Sequence, residues 1–231
     1  MIEEKNNGLL KNNKKLILAS SSLQRIELLT QIGISPDHIH SPAVEEKAKF
    51  FESPWNLSLR LACAKAKVAQ ANLQEMEHLQ GAIVLAADTI VAVKRKILFK
   101  PTTKKEALNC LRILSGRTHN VYTSICVIAQ NKKIYSKLVE TKVTFMPLSE
   151  EYIENYLDTN EWYSRAGGYA IQGQAGKFVS FISGSYTGVV GLPLYETAKL
   201  LEKQFFFLII KIYDILLFQL SIFIYFIRTK V

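Results

Sequence analysis

The residue in this chain that folding alone explains least is an aspartate set in an apolar run. Asp88 interrupts GAIVLAADTIVAV, residues 81–93. A carboxylate there must be satisfied by backbone amides, bound to a metal, or placed at a strand end facing a cleft, where it can act as a general base. Other groups of suitable type lie nearby in kind, if not in sequence. Glu45-Glu46 follows Pro42 and precedes a helical stretch; alone it reads as a solvated loop. Lys65 sits in the alanine-rich segment Ala62-Cys63-Ala64-Lys65-Ala66-Lys67, where a lysine is ordinarily solvent-exposed. Leu18 to Arg25 reads as strand, serines, then helix. Free amides and the positive end of a helix dipole meet there, with Arg25 beside them, which is an anion-binding layout. Lys100, before Pro101, is a second fixed cation. Acidic groups, fixed cations and a helix N-terminus together suit a divalent metal and a polyphosphate. Phosphate chemistry needs cations to neutralise its oxygens and a base or metal to activate water.

Other chemistries find less support. The nearest approach to a P-loop is Gly168-x4-Gly173, but Gln174-Ala175 follows where Lys-Ser/Thr is required. No H-E-x-x-H, G-x-S-x-G or G-x-G-x-x-G is present. The histidines at 38, 40, 78 and 119 are scattered, and His38 and His40 read as part of a plain loop flanked by prolines. Cys63, Cys110 and Cys126 are widely spaced and odd in number. They read as reduced thiols rather than a zinc ribbon or a disulfide framework.

The elements that must position these groups alternate between strand and helix. Lys15–Ala19 predicts a first strand, Ser20 to Ser22 offer N-caps, and Leu23–Ile32 has apolar residues near helical period, closed by Gly33. A second helix begins at Ser53-Pro54 and runs through Leu73. Residues 81–93, apolar on both faces, predict a buried central strand. Lys94-Arg95-Lys96 reads as a turn, and Ile97–Phe99 as a short return. Thr103-x-x-Glu106 is a capping box opening a helix to Leu114, closed by Gly116. Two strands follow, at 120–130 and 138–146, with a polar turn between them. Ser149 caps a helix to Leu157, a glycine-rich β stretch covers 167–190, and Pro193 starts a last helix toward Leu201.

The 231 residues are enough for one large domain or two small lobes sharing a cleft. With 48% hydrophobic and 21% charged residues the chain can bury a core, which excludes disorder of the whole. The net charge of +9 suggests an anionic partner, but nucleic acid, anionic lipid, nucleotide and mere solubility all fit it. The polar residues 1–14 lack the apolar core of a signal peptide. Phe205 to Ile227 is long enough to cross a bilayer, yet Lys211 and Asp214 interrupt it. It reads as a membrane anchor, as a helix packing on a partner or on the chain itself, or as a non-native extension. The division expected is a polar extension at 1–14, a catalytic domain at 15–203 and a hydrophobic tail at 204–231.

Ordered blocks across about Leu16 to Leu201 resemble the Maf family of nucleoside triphosphate pyrophosphatases. They are Leu16-Ile-Leu-Ala-Ser-Ser-Ser-Leu-Gln-Arg-Ile-Glu-Leu-Leu29, Val44-Glu45-Glu46, Arg60-Leu-Ala-Cys-Ala-Lys65-Ala66, Ala86-Ala87-Asp88-Thr89 and Lys100-Pro101. Leu114-Ser-Gly-Arg-Thr-His119, Ala166-Gly-Gly-Tyr-Ala-Ile-Gln-Gly173 and Val190 to Leu194 complete the set. Any one block is weak; all of them in order are specific.

The resemblance implies an α/β fold, with a mixed central sheet, flanking helices and two lobes around a cleft, as in the Maf and ITPase-like proteins. It implies hydrolysis of an NTP to the monophosphate and pyrophosphate by attack at the α-phosphorus. Asp88, Glu46 and Lys65 would be catalytic, with Asp88 and Glu46 holding a divalent metal, Mg²⁺ or Mn²⁺. Ser20, Arg25 and Lys100 would hold phosphates, and Gln24, Thr89 and Gln172 would discriminate the base. Thr89 and Gln172 look like the dTTP/UTP branch rather than the 7-methyl-GTP branch. A cytoplasmic homodimer that binds no nucleic acid is expected, with membrane attachment only through 205–227. Two departures within the matched blocks stand out, and the tail after Lys203 has no counterpart in the family. Leu23-Gln24 replaces the family's Pro-Arg, removing a fixed φ and a planar donor fork, and Ser164-Arg165 replaces Asp-Lys. The rival readings are pyrophosphatase action on another base, a non-catalytic nucleotide-binding protein associated with cell division, and a nucleic-acid binder. The last lacks an aromatic stacking cluster or recognition motif.

Overall fold

The computed structural model describes residues 15–73 and 76–204. The extension at 1–14 and the apolar segment at 205–227 lie outside the described residues. Among those described, no helix is long and apolar enough to cross a membrane.

The strands are β1 (Leu16–Leu18), β2 (His38–Ile39), β3 (Ile83–Val93), β4 (Lys96–Leu98), β5 (Thr118–Ile128), β6 (Ile134–Phe145) and β7 (Val179–Ser183). Together they make one mixed sheet in the order β2-β1-β3-β5-β6-β7, with β4 also paired to β3. β1 runs parallel to β2 and β3; the remaining pairings are antiparallel. The helices are α1 (Leu23–Gln31), α2 (Pro54–Leu73), α3 (Lys104–Leu114), α4 (Glu150–Leu157), α5 (Tyr186–Val190) and α6 (194–204).

The period of two along β3 sorts its side chains onto opposite faces. Ile83, Leu85 and Ala87 join Leu16, Leu18, Leu28, Leu29 and Leu201 in a cluster covered by α1 and α6. Val84 and Ala86 join Ile17, Ala62, Ala66, Ala69 and Leu73 under α2. The alanines on α2 let the helix lie close to the sheet. A separate cluster, which includes Val91, Leu111, Phe145, Tyr156, Trp162 and Phe178, packs α3, α4 and the 162–178 segment around the far ends of β3 and β5. The cleft lies between these two halves.

β3 is longer than its neighbours on one edge, and that gap makes the site. β1 pairs with β3 at residues 83–85, and Ala19 N–H donates to the Leu85 carbonyl at 2.7 Å. β4 pairs only from Val91 onward. Residues 86–90 therefore have no strand partner on that side, while β5 pairs them along the other.

The structure departs from the expected elements in four places. His38 and Ile39, expected in a plain loop, form the short β2, because they pair in register with Ile17 and Leu18 of β1. The expected β stretch at 167–190 is instead two 3-10 turns (Ala166–Gly168 and Gln174–Phe178), the short β7 and the short α5. Gly167 and Gly168 have φ of 71° and 72°, incompatible with an extended strand, and the Ser185 hydroxyl accepts from Gly188 N–H to start α5. β6 begins at Ile134, four residues before the expected Leu138, because it stays in register with β5 from Ile128↔Ile134 onward. At the start of α1, Ser22 occupies the N-cap position without a capping bond. Its hydroxyl donates instead to Gln24 Oε1 at 3.2 Å. The capping box of Thr103 and Glu106 forms as expected, and none of the three cysteines is in a disulfide.

Candidate active site

A cavity of about 500 Å³ opens over the unpaired edge of β3. Ser20, Gln24, Arg25, Glu46, Lys65, Thr89, Lys100 and Gln172 all line it. Asp88 lies just beneath, 2% exposed. The residues singled out in the sequence thus come together, although up to 152 positions separate Ser20 from Gln172.

Asp88 and Thr89 are adjacent and so point to opposite faces of β3. Asp88 faces α2, where Lys65 Nζ donates to its Oδ1 at 2.6 Å. The same ammonium donates to Glu46 Oε1 at 2.7 Å. Lys65 is 9% exposed, not the solvent-facing lysine its helix suggests, because it continues the buried stripe of Leu57, Ser58, Leu61 and Ala62. Lys100 Nζ approaches Glu46 Oε2 at 3.1 Å from the opposite rim. Burial pushes the Glu46 carboxyl up, but hydrogen bonds and charge from Lys65 and Lys100 outweigh it and hold the group at about 2. Glu46 is therefore ionised at any physiological pH. Asp88 Oδ2 carries no hydrogen bond from another side chain or amide among the described residues, so one carboxylate oxygen remains available.

Thr89 faces α1. Arg25 spreads its guanidinium over three acceptors: Nη1 donates to Ser20 Oγ at 2.9 Å, Nε to the Gly191 carbonyl at 2.9 Å, and Nη2 to Thr89 Oγ1 at 3.4 Å. Burial lowers the Arg25 pKa, opposed by the charges of Asp88 and Glu46. As first-turn groups of α1, the N–H groups of Leu23 and Gln24 have no intrahelical acceptor, Ser22 does not cap them, and both residues line the cavity.

The opposite wall is the 163–172 segment. Its approach depends on Gly167, where a Cβ would come within 2.8 Å of Val91 Cγ1. Ala170 N–H donates to the Tyr156 hydroxyl at 3.0 Å, and Gln174 N–H to Glu161 Oε2 at 2.8 Å. These bonds hold Gln172 between them with its side chain exposed to the cavity.

Several contributors escape a reading of the sequence. Thr123, the register partner of Thr89 on β5, places its hydroxyl 3.0 Å from Thr89 Oγ1 and donates to the Gly188 carbonyl at 2.7 Å. His119 is buried with Nε2 2.9 Å from the hydroxyl of Tyr169, which lines the cavity. Burial pushes His119 down to about 4, so it is neutral and serves to seat Tyr169. Tyr163 and Arg165 also line the wall. The signal available for Arg165 is the Ser164-Arg165 departure just before Ala166-Gly167.

The oxygen donors fit a divalent cation only in one way. No group of three or more His, Cys, Asp or Glu side chains comes together among the described residues. Glu46 and Asp88 supply two carboxylates, bridged by Lys65. One or two carboxylates completed by phosphate oxygens is the usual setting for Mg²⁺ at a nucleotide site.

The family model described as Maf-like protein matches residues 15–204. A dTTP/UTP pyrophosphatase of Rhodopseudomonas palustris (strain BisB5) is 50% identical over 192 residues, 83% of this chain and 93% of the relative. One of Brucella abortus (strain 2308) is 52% identical over 187 residues, 81% of this chain and 90% of the relative. This chain belongs to the Maf family. Among solved structures, the Staphylococcus aureus Ham1 protein covers 57% of this chain and 72% of its own at 15% identity with a TM-score of 0.40, a superposition too loose to bear on fold or function. The blocks that carry the Maf resemblance occupy the walls of the cavity: the opening block forms β1 and the start of α1, and the Ala86-Ala87-Asp88-Thr89 block is the bare edge of β3.

Proposed function

We propose that this Maf protein hydrolyses dTTP and UTP to the monophosphate and pyrophosphate. The observation that carries the reading is the clustering of Asp88, Lys65, Glu46 and Lys100 within successive contacts of 2.6, 2.7 and 3.1 Å at one end of a cavity whose other end is the open start of α1. Its relatives at 50–52% identity carry the same activity in their names.

In this reading the triphosphate lies along the cationic floor. Arg25, Ser20 and the free amides of Leu23 and Gln24 hold phosphate oxygens. Asp88 Oδ2 accepts a proton from the water that attacks the α-phosphorus, the bond from that phosphorus to its bridging oxygen breaks, and pyrophosphate leaves. Lys65, 2.6 Å from Asp88 Oδ1, holds that carboxyl group in place, and Lys100 balances charge on the departing group. Glu46 and Asp88 are the residues that would hold Mg²⁺ or Mn²⁺, which would supply further neutralisation of phosphate charge and a more acidic water. Gln172 presents an amide donor and acceptor to the base, complementary to the N–H and carbonyl of a uracil or thymine edge. Thr89 and Gln24 flank that position. A homodimer in the cytoplasm is the expected setting.

Turnover across dTTP, UTP, CTP and 7-methyl-GTP, read as pyrophosphate release with Mg²⁺ or Mn²⁺, tests the proposal. dTTP and UTP should be preferred. Asp88→Asn, which keeps the shape of the side chain and its contact to Lys65, should lower kcat by roughly 10²–10³ with a near-normal melting temperature. An Asp88→Asn protein turning over at the wild-type rate removes Asp88 from the chemistry; preference for 7-methyl-GTP overturns the base assignment.

A further inference from the structure

Among the described residues, four cationic ones line the cavity, and three are already committed to protein partners. Arg25 is bonded to Ser20, Gly191 and Thr89. Lys65 is shared between Asp88 and Glu46, and Lys100 is paired with Glu46. Arg165 is different. Among the described residues its guanidinium makes no hydrogen bond or ion pair with a protein acceptor, yet it is half-buried at the cavity wall.

Its backbone, by contrast, is tightly built. Trp162 is buried and donates Nε1–H to the Leu157 carbonyl at 2.8 Å. Arg165 N–H donates to the Trp162 carbonyl at 3.2 Å, and the Arg165 carbonyl accepts from Gly168 N–H at 2.9 Å. Ser164, in the left-handed region at φ 55°, donates its N–H to the Pro101 carbonyl at 3.2 Å. That bond sets Arg165 beside the turn that carries Lys100. A fixed backbone presenting an unpartnered guanidinium into a cavity is arranged for an anion, and a guanidinium fork matches two phosphate oxygens at once.

We propose that Arg165 is a phosphate-binding residue of this site and that, with Lys100, it grips the β- and γ-phosphates that depart as pyrophosphate. The inference rests on the reading of the cavity as a triphosphate site and assigns that site a residue beyond the predicted set. It also gives a role to the second departure in the sequence. The first departure leaves a neutral amide at Gln24 near the α1 end, and Arg165 supplies a planar donor fork from the facing wall.

The test separates binding from turnover. Calorimetric titration with pyrophosphate in the presence of Mg²⁺, and with UMP, is run on the wild-type protein, Arg165→Gln and Arg165→Lys. Arg165→Gln should weaken pyrophosphate binding by about 10- to 100-fold, leave UMP binding within about twofold, and raise the KM for UTP. Arg165→Lys should recover part of the loss, because it restores charge without the fork. Wild-type pyrophosphate affinity in Arg165→Gln overturns the proposal, and so does an equal loss for UMP and pyrophosphate, which would mark a structural role. If the wild-type protein binds pyrophosphate but hydrolyses no nucleotide, the activity assignment fails while the role of Arg165 as an anion ligand is still decided by the same titrations.

Discussion

At the scale of single residues, Asp88 stands out in the sequence because its chemistry is out of place, and Thr123 is hidden because its chemistry is not. A carboxylate among alanines and isoleucines demands a partner, and Lys65 provides it at 2.6 Å. Thr123 is a β-branched residue in a strand, so nothing in NVYTSICVI marks it. Its hydroxyl nevertheless connects Thr89, on the cavity wall, to the Gly188 carbonyl of α5. Thr123→Val keeps the shape and removes the hydroxyl. The Gly188 carbonyl then loses its Thr123 donor and Thr89 loses the neighbour that orients it. Leaving the buried Gly188 carbonyl unsatisfied costs about 1–3 kcal/mol, so the melting temperature should fall. Asp88 and Lys65 lie on the other face of β3, so the KM for UTP should rise severalfold with kcat changed less. Steady-state kinetics check this; an unchanged KM would mean that Thr89 needs no orientation.

At the scale of elements, the loop carrying Glu46 has little secondary structure of its own and is fastened to α2 by a clasp. Arg60 donates Nε–H to Glu52 Oε1 at 2.7 Å, Nη2–H to Glu52 Oε2 at 2.9 Å, and Nη2–H also to the Lys47 carbonyl at 2.9 Å. The hydrogen bonds from Arg60 hold the Glu52 carboxyl down at about 2, against an ordinary 4.5. A carboxyl depressed in the folded chain adds stability that is fully present above its unfolded pKa and disappears as pH falls through its folded one. The melting-temperature gap between wild type and Glu52→Gln should thus be constant above about pH 5 and close progressively toward pH 2. A gap independent of pH would show that the clasp contributes nothing through its charge. Elements with local signals were legible in the sequence: the capping box of α3, Pro54 at the start of α2, the apolar run of β3. The 167–190 region was not, because its form depends on two left-handed glycines and on the close approach of Gly167 to Val91, a contact between residues 76 positions apart. The burial of Lys65 is hidden in the sequence for a similar reason, since only the tertiary placement of α2 makes its face a buried one.

At the scale of the whole molecule, the cleft is not a hinge between separate bodies. β3 and β5 pair continuously from Val84↔Ile128 to Ala92↔Asn120, and so run through both halves. The continuous strands fix the frame across the cleft, and the turns at Lys100 and at Gly167–Gly168 set how closely the Lys100–Arg165 wall approaches it. Every residue given a role here, from Ser20 to Gly191, lies on or beside that frame, and the family match spans 15–204. Residues 205–231 contribute none of them. A chain ended after Gln204, which is itself buried and so is retained, should keep the wild-type kcat and KM for UTP. Loss of turnover or of solubility in the 1–204 chain, with full activity in the 231-residue protein, would show that the apolar segment is part of the working enzyme rather than an addition to it.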